Sequence, residues 1–286
     1  MVQHHDTNHQ ERQPPVIASG AANHRKPRPA IIIIPGAWHQ PVHYTALAEP
    51  LRQQGYKVEV AALSTMGDPD AIRAKTHHDD VEIVRALLEP HLAAGREVVL
   101  VGHSYGGLVA TDTAAGFTVE ERGAVPTGPD GGLQVQGGGV RAVVYIASPA
   151  VVEKGISLTS GMEKMTRRRR RQNVRRVLET PLQPRRRKSV PGGVRRLASP
   201  PQRRHHSVAS FLSASTAGAR DLRARLAYVV AAADEFTLSP AVQHRIADGM
   251  GPRCTKHVFE GAGHAPWLQP ELLPRLVGVI TGVAED

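Results

Sequence analysis

The apolar run Val98-Val99-Leu100-Val101 leads directly into Gly102-His103-Ser104-Tyr105-Gly106-Gly107, and Leu108-Val109-Ala110-Thr111-Asp112 continues from it. Read in order, this is a strand, a tight turn and a helix. A serine at such a turn sits under backbone strain with its hydroxyl projecting from the sheet, and flanking glycines remove the Cβ atoms that would clash there. The helix N-terminus beside it adds unpaired N–H groups and a positive dipole end, useful where negative charge develops on an oxygen. A serine that merely caps an ordinary strand-to-helix turn is the bland alternative, and the rest of the chain has to decide between the two.

Alternation of short apolar strands with amphipathic helices runs through the sequence. Ala30 to Ile34 is a β-branched run ending at Pro35-Gly36, as expected of a buried central strand that delivers a loop, Pro35 to Pro41, at its C-terminal edge. A helix from about residue 43 to 54 places Leu47 and Leu51 on one face and stops at Gly55, and Lys57 to Ala61 alternates into a second strand. Thr76-His77-His78-Asp79 reads as a capping-box variant opening a helix that carries Val81, Val84, Leu88 and Leu92. On this reading His77 and His78 are solvated first-turn residues, and adjacent positions on a helix do not face one another as metal ligands would. Gly116 to Gly139 is an aperiodic, Gly-rich surface loop, and Arg141 to Ile146, Ala227 to Ala232 and Lys256 to Phe259 are further strands. Helices start at Ser239-Pro240 and span about 270 to 283. The implied architecture is α/β: a mainly parallel sheet of about six strands with helices on both faces.

Residues 1–28 are polar, rich in His, Gln, Asn and Pro, and show no hydrophobic period, which reads as a disordered leader ahead of one domain over 29–286. The leader has no apolar core of a secretory signal, and Asp6 and Glu11 argue against a mitochondrial presequence. The longest clean apolar run, Ala30 to Ile34, falls far short of the roughly 20 residues a bilayer span needs. A single cysteine, Cys254, excludes an internal disulfide and any cysteine-rich metal site, in keeping with a structural residue in a reducing, cytoplasmic setting.

The net charge of +10 invites a nucleic-acid reading, so its position matters. Between Lys164 and His206 lie fourteen arginines and two lysines against the single acid Glu179, a net +15, which leaves −5 for the remainder. Basicity thus belongs to one segment within residues 153–207, where Pro, Ser and Gly separate the arginine tracts and few apolar residues are available to pack. Disorder is the default there.

Three candidate groups fall at the C-terminal ends of different strands: Ser104, then Asp234, then His264 after Gly261-Ala262-Gly263. Ligands bind at that edge of an open parallel sheet. A base within hydrogen-bond reach of the serine, oriented by an acid, is what nucleophilic catalysis requires, with Glu235 as the fallback acid. A turn histidine and a capping aspartate are the bland readings of His264 and Asp234, and they weaken when all three residues are taken together.

With these residues in view, the sequence resembles the alpha/beta-hydrolase superfamily, and more narrowly the small hydrolases similar to plant methylesterases and hydroxynitrile lyases. The likeness is carried by Ile34-Pro35-Gly36-Ala37-Trp38-His39, the Asp79-Asp80-Val81 helix start, Val101 to Gly107, Asp234 and Gly263-His264-Ala265-Pro266-Trp267. It covers roughly residues 29–155 and 207–284. The resemblance implies Ser104 as nucleophile, His264 as general base, Asp234 as its orienting acid, and the backbone N–H groups of Ala37 and Tyr105 as an oxyanion hole. Trp38 and His103 would contact substrate. It implies hydrolysis of a small ester, lactone or thioester with neither metal nor cofactor. The lyase variant of the family pairs a lysine beside the histidine with a threonine in the first loop, and here Ala265 and Gly36 stand at those places.

The departure from the family is the cap, where the arginine-rich stretch replaces a helical lid of mixed composition. It is either a genuine insertion that binds anionic partners such as nucleic acid, or a retained intron or shifted frame in the coding sequence; the transcript across codons 155 to 210 decides. A non-catalytic binder of acidic surfaces through this stretch, or a catalytically silent hydrolase fold, stands as the alternative to an enzyme.

Overall fold

The structure is a computed structural model that describes residues 27–123, 137–166, 205–235 and 237–285. The expected leader, apart from residues 27 and 28, and the arginine tracts over 167–204 fall outside the described residues. Six parallel strands form the main sheet: β1 (Ala30–Ile34), β2 (Lys57–Val60), β3 (Glu97–His103), β4 (Gly139–Ile146), β5 (Arg225–Ala231) and β6 (Cys254–Phe259). Their order across the sheet is β2-β1-β3-β4-β5-β6. Each passage between neighbours is a crossover carrying helices, so the α/β architecture expected from the alternation is the one found.

Strand pleating explains both layers of core. Ile32 and Ile34 of β1 and Val98 and Leu100 of β3 pack with Val81, Val84 and Leu88 from helix α2 (His77–Ala93) and with Leu108 and Val109 of α3 (Gly106–Ala114). Their neighbours Ile31, Ile33, Val99 and Val101 point the other way, onto Leu47 and Leu51 of α1 (Thr45–Gln53) and Leu276 and Ile280 of α5 (Leu273–Glu285). Helix α4 (Pro240–Gly249) joins the first layer through Val242 and Ile246. Side chains of a strand point alternately to opposite faces, so the continuous apolar run of β1 is what a strand covered on both sides needs. All four of its isoleucines are fully buried, and each contributes roughly 1.5–3 kcal/mol of apolar burial.

The register brings the strand ends into line. Ile34 lies opposite Gly102, His103 opposite Ile146, and Ile146 opposite Val229. Loops leaving β1, β3, β4, β5 and β6 therefore emerge along one edge. At α2 the capping box forms as expected: the Asp79 carboxylate accepts the Thr76 N–H at 2.8 Å.

Local departures from the sequence reading are instructive. Within the loop expected over 116–139, Val119–Arg122 forms a helical turn capped by Thr118, whose backbone N–H reaches Glu121 at 3.1 Å. At the flanks of the segment expected to be disordered, Leu158–Thr166 is helical, and His205–His206 pairs antiparallel with Met66–Gly67. Among the described residues no helix is long and apolar enough to cross a membrane.

Candidate active site

Ser104 leaves β3 with φ = 51°, in the left-handed region that a non-glycine residue rarely occupies. Its N–H still donates to the Ile146 carbonyl at 2.9 Å, so the strand ladder holds the residue while the chain turns. The glycines around it are required by close approach: a Cβ on Gly102 would lie 2.7 Å from the Gly107 Cα, and one on Gly106 would collide with the Ile34 carbonyl. The steric reading of Gly-x-Ser-x-Gly is thus met atom by atom. Ser148 adds a support, its hydroxyl donating to the Ser104 carbonyl at 2.8 Å while Tyr228 Oη donates to the Ser148 carbonyl.

Asp234 and His264 meet across the same edge. His264 Nδ1 lies 2.7 Å from Asp234 Oδ2, with the acid side chain 2% exposed and the imidazole 19% exposed. Backbone N–H groups of Thr237 and Leu238 donate to the two carboxylate oxygens at 3.0 and 3.3 Å. Buried Gln243 pins this acid loop, accepting the Ala231 N–H at 2.8 Å and donating to the Leu238 carbonyl at 2.6 Å. The carboxylate on the imidazole is thus that of Asp234, and Glu235, the fallback acid, is exposed to solvent. Among the described residues no hydrogen bond joins the Ser104 hydroxyl to His264; such bonds commonly tighten only when substrate is bound.

The two expected oxyanion donors come from the loop after β1 and from the residue that follows Ser104. Among the described residues neither the Ala37 nor the Tyr105 N–H is spent on a protein acceptor. Tyr105 is held rigidly: its Oη donates to Asp80 Oδ2 at 2.8 Å, and the same buried carboxylate accepts the Ser64 and Thr65 N–H groups at 2.7 and 3.1 Å. Burial and the Asp80 charge push the Tyr105 phenol well above its usual pKa, so it stays a neutral donor.

Trp38, expected to touch substrate, is 55% exposed with φ = 63°. Its ring faces His206 and Phe211 at centroid distances of 5.6 and 6.1 Å, and His206 stacks on Phe211 at 4.6 Å. Burial drives the His206 pKa from the usual 6.5 to about 4, which keeps this aromatic wall uncharged at neutral pH. His103 is a correction. It is fully buried, with both ring nitrogens engaged, Nδ1 with Tyr44 Oη at 2.8 Å and Nε2 with the His264 carbonyl at 3.0 Å. A residue without exposed surface is no substrate contact; it lies beneath the site.

His77 also departs from expectation. Instead of a solvated first-turn residue it is fully buried, Nε2 lying 2.9 Å from Asp112 Oδ2 and Nδ1 2.5 Å from Ser213 Oγ. Ring centroids of His77 and His78 are 3.9 Å apart, and nitrogens of the two with an Asp112 oxygen fall within 4.8 Å of one another, a spacing compatible with metal ligands. In this structure those groups hold the returning segment: Asp112 also accepts the Thr216 and Ala217 N–H groups at 2.9 and 3.1 Å. Sequence offered no sign of it, because Asp112 lies 35 residues from His77 and the segment they hold, Ser213 to Ala217, lies more than 100 residues from its partners.

Residues 31–274 match the alpha/beta hydrolase family, which spans most of the chain. The chain belongs to that family. It is 33% identical over 139 residues to the alpha/beta hydrolase nvfD of Aspergillus novofumigatus, a match covering 49% of this chain and about half, 50%, of that protein. It is 27% identical over 268 residues to the probable hydrolase R7 of a Phoma species, covering 90% of this chain and 99% of the relative. Hydrolase is therefore the enzyme class its relatives carry. Among solved structures, a pyrethroid hydrolase from Sphingobium faniae superposes with a TM-score of 0.58 at 19% identity, covering 90% of this chain and 98% of that one. Polyneuridine aldehyde esterase superposes at 0.58 and 16% identity, covering 89% and 100%. At these identities the structural neighbours establish the fold.

Proposed function

We propose that the chain is a serine hydrolase that cleaves a small carboxylic ester, lactone or thioester through an acyl-enzyme on Ser104. The observation that carries this reading is the 2.7 Å His264–Asp234 pair, with the acid buried, at the same sheet edge as a serine held at positive φ. Unspent N–H groups at Ala37 and Tyr105 support it.

In the reaction, His264 Nε2 takes the Ser104 proton as Oγ attacks the carbonyl carbon. Asp234, bound to Nδ1, keeps the other nitrogen free to accept and stabilises the imidazolium that results. The charge that moves to the carbonyl oxygen is received by the Ala37 and Tyr105 N–H groups, which cost no reorganisation at the moment of reaction because the backbone already fixes them. Collapse of the tetrahedral intermediate expels the alcohol, which takes the proton from His264. Water then repeats the sequence on the acyl-enzyme and frees the acid. The exposed Trp38 ring and the uncharged His206–Phe211 stack form an aromatic mouth for the organic part of the substrate.

A fluorophosphonate probe tests the reading directly. The purified protein is expected to label, and Ser104→Ala to abolish labelling together with turnover of p-nitrophenyl esters. A folded wild-type protein that never labels refutes it.

A further inference from the structure

His103 and Tyr44 lie under the site, touch no solvent, and have no part in the reaction as written. The Gly36 N–H donates to Tyr44 Oη at 2.8 Å, Tyr44 Oη lies 2.8 Å from His103 Nδ1, and His103 Nε2 lies 3.0 Å from the carbonyl oxygen of His264. The two ends fix the polarity of everything between. A peptide N–H can only donate and a carbonyl can only accept, so Tyr44 receives a proton from Gly36 and gives its own to Nδ1. That leaves Nε2 as the protonated nitrogen, donating to His264. One tautomer of His103 satisfies all three bonds.

We propose that Tyr44 and His103 are positioning residues, forming a buried hydrogen-bond wire that holds the oxyanion loop and the general-base loop at a fixed separation across the nucleophile turn. This rests on the serine-hydrolase reading above. Gly36 immediately precedes the oxyanion donor Ala37, and His103 immediately precedes Ser104. The wire ends on the peptide of the base itself. Three catalytic segments that come from β1, β3 and the loop after β6 are thereby joined by two side chains.

Packing makes the wire stiff. Tyr44 stacks on Trp267 with centroids 4.8 Å apart, His103 meets the same indole edge-on at 4.6 Å, and Trp267 Nε1 donates to the His43 carbonyl at 3.0 Å. A Cβ at Gly36 would approach His103 Nδ1 to 2.8 Å and Ser104 Cβ to 3.0 Å, so this position admits glycine alone without displacing the wire. Besides Tyr44 itself, the titratable groups that face His103 are His264 and His39, with ring centroids at 4.7 and 5.2 Å. Burial, then the repulsion of those two rings, keeps its pKa well below the usual value. Protonation would place a hydrogen on Nδ1 against the Tyr44 hydroxyl and break the wire, so its neutrality matters.

Two measurements test the proposal. Long-range ¹H–¹⁵N spectra of histidine-labelled protein should show one ring with Nε2 protonated and Nδ1 bare from about pH 5 to 9, lost in His103→Gln. A His103 signal of the opposite tautomer, or one that titrates in that range, overturns the wire. Tyr44→Phe keeps the ring on Trp267 but strands the Gly36 N–H and Nδ1. It should lower kcat by about 10- to 100-fold, the scale of small misplacements of reacting groups, with KM within about threefold. His103→Gln, whose amide N–H can reach the His264 carbonyl, should recover part of the rate that His103→Ala loses. A Tyr44→Phe protein with unchanged kcat, or one in which only KM rises, overturns the positioning role while leaving a labelling wild type as a hydrolase. A wild type that never labels overturns both.

Discussion

Replacing Asp234 by asparagine preserves the shape of the acid loop and removes its charge. Two orientations are open to the amide. If its oxygen faces His264, the NH₂ is set against the Thr237 N–H, which donates to the carboxylate at 3.0 Å. If its NH₂ faces His264, the imidazole is driven to the tautomer with Nε2 protonated, which cannot accept the Ser104 proton. In both cases the imidazolium formed at the transition state loses its counter-charge. For unit charges about 4 Å apart at an effective dielectric of about 20, that attraction is about 4 kcal/mol. A neutral hydrogen bond returns about 1 kcal/mol, so the barrier should rise by about 3 kcal/mol, a loss of roughly 10²- to 10³-fold in kcat. Steady-state hydrolysis of a p-nitrophenyl ester measures it, with Glu235→Gln as the control; that exposed side chain should leave the rate within about twofold. An Asp234→Asn enzyme that keeps more than a tenth of its rate, or a Glu235→Gln enzyme that loses as much, would refute the assignment of the acid.

Trp38→Ala should reduce kcat/KM for an aryl ester such as a benzoate by about 2- to 10-fold more than for the acetate, the worth of one aromatic pair; equal losses on both would remove the aromatic mouth from the specificity argument. His206 has its folded pKa depressed from 6.5 to about 4, so the unfolded chain binds its proton first. The stability tied to its neutral form is complete above about pH 6.5 and falls by up to about 3 kcal/mol as pH drops toward 4. Urea unfolding across that window should be flatter in His206→Gln, and identical slopes would contradict the burial argument. Asp112→Ala strands the Thr216 and Ala217 N–H groups and the His77 ring, and should cost about 3 kcal/mol or more. Limited proteolysis should then cut within 205–217 faster than in the parent, and an unchanged cleavage rate would mean the anchor holds nothing.

The sheet was legible because its signals are local. Ala30 to Ile34 is continuous and β-branched, the 98–101 run ends at glycine, and the alternate residues of each divide between the two core layers as a doubly covered strand demands. Ser104, Asp234 and His264 could be singled out as candidates because each lies in the loop that follows a strand, and a parallel register sends those loops to one edge. His103 was misplaced for the complementary reason. It adjoins the proposed nucleophile in sequence, but its side chain belongs to the buried side of the turn, and the partner that reveals this, Tyr44, sits 59 positions earlier in a short 3-10 turn, Pro41–Tyr44, that no periodicity marks. Ser148 and Gln243 were missed likewise; each acts by binding backbone atoms that only the fold brings near.

Two of the buried carboxylates, Asp80 and Asp112, connect this hidden layer to specificity. A charge taken out of water costs several kcal/mol unless its oxygens are satisfied. Asp80 is satisfied by Ser64, Thr65 and Tyr105, and Asp112 by His77, Ser215, Thr216 and Ala217. Asp112 thereby ties down the segment that follows the arginine-rich stretch. Thr65, bound to Asp80 through its hydroxyl at 2.6 Å, lies 3.2 Å from His206 Nε2, and the Ser207 N–H donates to the Thr65 carbonyl at 2.8 Å. His206 and Phe211 of that segment are the rings that flank Trp38 and pack edge-on against Tyr105, at 4.7 and 5.7 Å. One carboxylate therefore holds both Tyr105, which follows Ser104, and, through Thr65, the His206 ring beside Trp38. Loss of Asp80 should disturb turnover and substrate preference together, whereas loss of Trp38 should disturb preference alone.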